Sequence, residues 1–121
     1  MAERRVAVET SRGILGVNGG LELFTLRYRD RRRVYVLELG LPDSGVRAEL
    51  EFDLVWAMTI VPSEAELEAE LPPPRAAFDE ILESSWVAKL GGKVSPEEHR
   101  HFVVQTQNEV FSIVCAGYRV A

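Results

Sequence analysis

From Val46 to Ile60 every even-numbered residue is apolar: Val46, Ala48, Leu50, Phe52, Leu54, Trp56, Met58 and Ile60. The odd positions begin with Arg47, Glu49, Glu51 and Asp53, then turn neutral with Val55, Ala57 and Thr59. A period of two sends successive side chains to opposite faces of an extended backbone, so the stretch reads as a half-buried β-strand. At about 3.3 Å per residue it would run about 50 Å, beyond a usual strand. It must therefore curve, or break near Asp53–Val55, where the charged face ends. The first half offers carboxylates to water, and the second half is covered on both sides.

Other β-rich runs surround this one. Arg5–Thr10 alternates and reads as a short first strand. Leu21–Arg29 and Arg33–Leu41 flank a polar centre. With Asp30-Arg31 as the turn, Phe24, Leu26 and Tyr28 share a face with Leu39, Leu37, Tyr35 and Arg33. Pro42-Asp43-Ser44-Gly45 has turn chemistry, so residues 21–60 are expected to form an antiparallel meander. At the C-terminal end, His99–Thr106 and Glu109–Ala116 flank Gln107-Asn108. That hairpin gathers Phe102, Val104, Phe111, Ile113 and Cys115 on its core face and leaves His99 and His101 on the wetter one.

Between these runs the spacing predicts two helices. Ser63-Glu64-Ala65-Glu66 has the capping-box spacing for a helix over 64–71, which Pro72-Pro73-Pro74 ends. Phe78, Ile81, Leu82, Trp86 and Leu90 recur at helical intervals before Gly91-Gly92, giving a second helix over 75–90 with a break available at Ser84-Ser85. The expected fold is α+β: one antiparallel sheet of about six strands with both helices on one face.

With 121 residues the chain is expected to form a single domain. No apolar run approaches the roughly 18 residues that would span a bilayer. One cysteine, Cys115, leaves no partner for an intramolecular disulfide and suits a reducing cytoplasm. The net charge of −5 is uneven, because residues 49–83 hold ten carboxylates against Arg75 alone. Such a field repels nucleic acid and attracts basic partners.

Candidate site residues follow from that pattern. Glu49, Glu51 and Asp53, with Glu64 and Glu68 on the first helix, make a candidate surface for a basic protein. His99 and His101, at i and i+2 of one strand, point the same way and make a candidate metal-binding, small-ligand or pH-sensitive pair. A catalytic zinc would want a third protein ligand, and the sequence has no third histidine. The arginines at 27, 29 and 31–33, interleaved with Tyr28 and Tyr35, could touch phosphate, but the acidic balance argues against nucleic acid. Cys115 and both tryptophans read as core residues. No nucleophile, base and orienting group can be assembled, so no enzyme and no cofactor are expected.

The run Leu82-Glu83-Ser84-Ser85-Trp86-Val87, the stretch from His99 to Cys115 and the strand Leu50–Trp56 together resemble a loose class of small bacterial α+β proteins. Some of that class behave like the immunity partners of secreted toxins. The resemblance implies a cytoplasmic domain that works by binding and carries over no catalytic residue. The expected function is a non-enzymatic interaction module meeting a basic protein through its acidic region, with no membrane contact. Free edge strands also allow a homodimer.

Overall fold

The computed structural model describes residues 3–16, 21–41, 46–62, 74–90 and 98–121. Among them run eleven strands: β1 (Arg4–Ala7), β2 (Glu9–Thr10), β3 (Gly13–Ile14), β4 (Glu22–Arg29), β5 (Val34–Gly40), β6 (Arg47–Asp53), β7 (Ala57–Pro62), β8 (Phe78–Leu82), β9 (Arg100–Gln105), β10 (Glu109–Cys115) and β11 (Gly117–Val120). One short helix, α1 (Ser85–Leu90), and a 3-10 turn, Arg31–Arg33, complete the described elements. The strands form a five-stranded antiparallel sheet in the order β1-β8-β9-β10-β7, a four-stranded one in the order β11-β6-β5-β4, and the small β2-β3 hairpin.

This is a nearly all-β fold, which corrects the α+β expectation of one sheet covered by two helices. The segment 64–71 lies outside the described residues. The second expected helix, 75–90, is mostly not helical: its first half is strand β8, and only Ser85–Leu90 winds. β8 sits between β1 and β9, with Phe78 and Ile81 buried on opposite faces. A strand buried on both sides loses its alternation, and Phe78, Ile81 and Leu82 then mimic helical spacing. Ser84 starts the real helix. Its Oγ accepts the Val87 N–H at 3.2 Å, as an N-cap residue does.

The long alternating stretch breaks where its charges end. Ala48, Leu50 and Phe52 are buried, but Leu54 adopts φ +50 and turns out to solvent, and Val55 takes the buried place. The chain then leaves the smaller sheet and enters the larger one as β7. β10 and β11 make the same crossing at Ala116, whose N–H bonds the Asp53 carbonyl at 3.0 Å, while the Trp56 N–H bonds the Val114 carbonyl at 2.8 Å. β6 pairs with β11 and β7 with β10, so one bent two-stranded ribbon runs through both sheets.

The main core lies between the inner faces. Phe52 of β6 meets Phe78 and Phe102 of the larger sheet, each at 5.9 Å between ring centroids. Leu37, Leu39 and Leu50 from one side and Val104, Phe111, Ile113 and Cys115 from the other fill the same cluster. The C-terminal hairpin takes the register read from its sequence, with Val110 opposite Gln105. Its other face is not wet, however. His101, Val103, Val110 and Val114 are all buried, and Trp86, Val87 and Leu90 of α1 pack beside Val114.

Candidate functional site

Three surfaces bear on function, and the acidic one changes character most. Glu49, Glu51 and Asp53 stand on the outer face of β6 as their odd numbering requires. They do not form a free negative patch. Arg27 reaches Glu49 at 2.7 Å, Arg29 reaches Glu51 at 2.7 Å, Arg119 reaches the other oxygen of Glu51 at 2.6 Å, and Arg32 reaches Asp53 at 2.9 Å. β5 separates β4 from β6, so Arg27 and Arg29 must arch across it. Beneath them Val34 and Val36 are 7% and 1% exposed although they sit on the sheet's outer side. Aliphatic arginine stems cover apolar surface while their heads stay wet. Glu64 and Glu68 lie outside the described residues.

The histidines do meet a cleft, of about 620 Å³, lined by β8, the start of α1 and residues 99–101. His101 is held within its wall. Ser84 Oγ lies 2.7 Å from its Nδ1, and Ser112 Oγ lies 3.0 Å from its Nε2. Because the Ser84 oxygen already accepts the Val87 N–H, the network fits a Ser84 hydroxyl donating to Nδ1 and an Nε2–H donating to Ser112. Burial drives the imidazole pKa down to about 4, nearby Arg5 adds to that, and Glu3 opposes it. With both nitrogens engaged, His101 has no lone pair to give a metal. Among the described residues no group of three or more His, Cys, Asp or Glu side chains could hold an ion. His99 stacks edge-on to Trp56 at 6.5 Å. The Ser84–His101 contact has the length of a nucleophile–base pair, but the second nitrogen meets a serine and not an orienting carboxylate.

The third surface brings Tyr28, Arg33 and Tyr35, part of the arginine–tyrosine cluster that the sequence offers to phosphate, together with residues that the sequence does not mark as a site. Trp56, expected in the core, is only half-buried and lines a cleft of about 250 Å³ with Tyr28, Arg33, Tyr35, Val55, Ala57 and Met58. Tyr28 and Tyr35 lie 4.7 Å apart, and the Arg33 guanidinium sits 4.8 Å from the Trp56 ring centroid, within cation–π range. Two successive left-handed residues, Arg32 at φ +68 and Arg33 at φ +49, aim it there. Non-glycine residues in that region cost on the order of 1 kcal/mol or more each. Their carbonyls offset the cost by accepting the Leu54 and Val55 N–H groups at 3.2 and 2.9 Å. Among the described residues the Arg33 guanidinium has no ion pair or hydrogen bond.

This cleft opens beside the edge strand β4, where all six residues from Phe24 to Arg29 are exposed. Leu41 donates its N–H to Val46 on the β6 side at 2.9 Å. Alternation therefore turns Val34, Val36 and Glu38 toward β4, opposite Arg29, Arg27 and Thr25. Leu26 and Tyr28, the residues between, must then point N–H and C=O away from the sheet. Leu21 marks the same edge: its N–H and C=O bond Gln105 and Gln107 of the larger sheet. Beyond Leu21, among the described residues, nothing pairs with that side of β4.

No family model, curated protein or solved structure matches the chain.

Proposed function

We propose that the chain is a non-enzymatic protein-interaction module that works by strand addition to β4. The observation behind this reading is the outward-turned backbone of Leu26 and Tyr28 on an eight-residue edge strand. Both side chains are exposed, at 39% and 47%. A long edge of this kind is a template for another strand unless it is blunted. An added strand gains main-chain hydrogen bonds from the edge and specificity from alternate side chains. The sheet edges left unpaired among the described residues elsewhere are less suited: β1 and β11 have four residues each, and β7 ends on Pro62. The earlier idea of an acidic face for a basic partner loses support, because the carboxylates of β6 already have arginine partners. An immunity-like role remains compatible with this reading, with the partner held by backbone pairing.

A blocked hexapeptide, Gln-Thr-Val-Thr-Val-Thr, tests it by backbone amide NMR. Shifts confined to residues 21–29 are expected, and their loss in Leu26→Pro. The Leu26 N–H faces outward, so proline there removes no bond to β5 while it obstructs an incoming strand. Amides along β4 that stay unmoved at millimolar peptide would end the proposal.

A second reading, a small-ligand site between α1 and the larger sheet, is favoured by one observation: His99 and His101 line the same 620 Å³ cleft. That size suits a small organic molecule. Filling it by Ala88→Trp should abolish any binding there and leave peptide binding at β4 unchanged.

A further inference from the structure

We infer that the Tyr28–Tyr35–Trp56 cleft takes an acidic side chain from the strand that adds to β4, with Arg33 as its counter-ion. The inference rests on the strand-addition reading and names the class of partner: an extended segment with a carboxylate at its leading end.

Three observations point this way. The cleft and the free edge share Tyr28, so an incoming strand bonded to the Tyr28 backbone delivers its opposing side chain to the cleft mouth. The cleft wall is mainly aromatic, with two tyrosines, and its one charged group, Arg33, has no anionic partner among the described residues. The arginines at 27, 29, 32, 47 and 119 are each matched to a carboxylate of β5 or β6, while Arg33, like its exposed neighbour Arg31, has no ion pair among the described residues. Finally, the backbone that aims Arg33 is held in two left-handed residues, and such geometry gathers where a side chain must be fixed in place.

The geometry also selects the sequence pattern of the partner. Side chains of the added strand that lie beside Leu26 and Tyr28 share the inner face of the sheet and alternate with those beside Arg27 and Arg29. In antiparallel addition the first residue sits opposite Tyr28 and the third opposite Leu26. An acidic first residue followed by an apolar third residue fits that face, and beyond Leu26 the bulge between Leu23 and Thr25 ends the regular register. Small polar residues fit between them, over the arginine-covered side. Arg33 is exposed with its guanidinium over the Trp56 ring, and a carboxylate reaching it makes a charge-assisted hydrogen bond.

The test compares the blocked hexapeptide Glu-Thr-Val-Thr-Val-Thr with its Gln counterpart by amide NMR titration. Binding of the Glu peptide at least about tenfold tighter, with the difference shrinking at high salt, is expected for a hydrogen bond between charged groups. Arg33→Asn should abolish the difference in affinity between the Glu and Gln peptides. Asparagine tolerates the left-handed conformation, so that variant keeps the turn. Equal affinities for both peptides in the parent protein would overturn the carboxylate site and leave strand addition standing. Binding of neither peptide would overturn both.

Discussion

Arg5 Nε and Asp79 Oδ2 meet at 2.6 Å with both side chains fully removed from solvent, joining β1 to β8 across 74 positions of sequence. The same carboxylate accepts the N–H groups of Arg75 and Ala76, each at 2.9 Å. It therefore fixes both the first strand and the entry to β8. Asp79→Ala should destabilise the fold by about 3–5 kcal/mol, because removing one partner strands a buried charge. Arg5→Met combined with Asp79→Leu should cost less than Asp79→Ala alone. Urea unfolding of the single and double variants measures both values.

The pH response of His101 has a definite sign. Its folded pKa is depressed to about 4 from an ordinary value of 6.5, chiefly by burial. The unfolded chain therefore takes up a proton first as pH falls. The neutral imidazole's contribution is complete above about pH 6.5, declines below it, and is gone once pH passes the folded pKa. At about 1.4 kcal/mol per pKa unit the loss reaches at most about 3.5 kcal/mol. The difference in stability between the parent and His101→Gln should narrow between pH 7 and pH 4. A constant difference over that range would contradict the neutral, serine-bound ring.

Burial pushes the Cys115 thiol up to about 12, although the Gly117 backbone and Arg100 oppose this. The side chain is enclosed in the core. Reaction with a disulfide reagent at pH 8 should be slow in the native protein and become fast in urea, with a rate that tracks the unfolded fraction.

The arginines that cross β5 should matter more as covers than as charges. Glu49→Gln removes an exposed ion pair and should cost under about 1 kcal/mol. Arg27→Ala removes the same pair and also uncovers Val36, so its cost should be the larger of the two. Thermal unfolding in low and high salt separates the effects, since only the ionic part is screened.

How much of this could be read in advance depended on whether the signal was local. The run Arg47–Asp53 alternates against a solvent face and declared itself as a strand. The hairpin around Gln107-Asn108 declared its register as well, because its turn and its core face lie within a few residues of each other. β8 did not. With both faces covered it shows no alternation, and Phe78, Ile81 and Leu82 fit a helix equally well. Arg5 and Asp79 carry no sequence mark of their pairing. The aromatic cleft depends on left-handed residues at Arg32 and Arg33 where no glycine announces a turn. The acidic row was visible, but the arginines that neutralise it come from two other strands and the Arg31–Arg33 turn. The break before β7 was legible from the loss of charged positions, and its destination in a second sheet was not.

The bent ribbon of β6–β7 and β10–β11 gives the fold no seam. Neither half can come apart without tearing strands that belong equally to the other, so loosening should be all-or-none and denaturation should follow a single sigmoid. Assembly is correspondingly late: residues near 50 must wait for residues near 120. The chain should fold slowly for its size, on a scale of milliseconds to seconds.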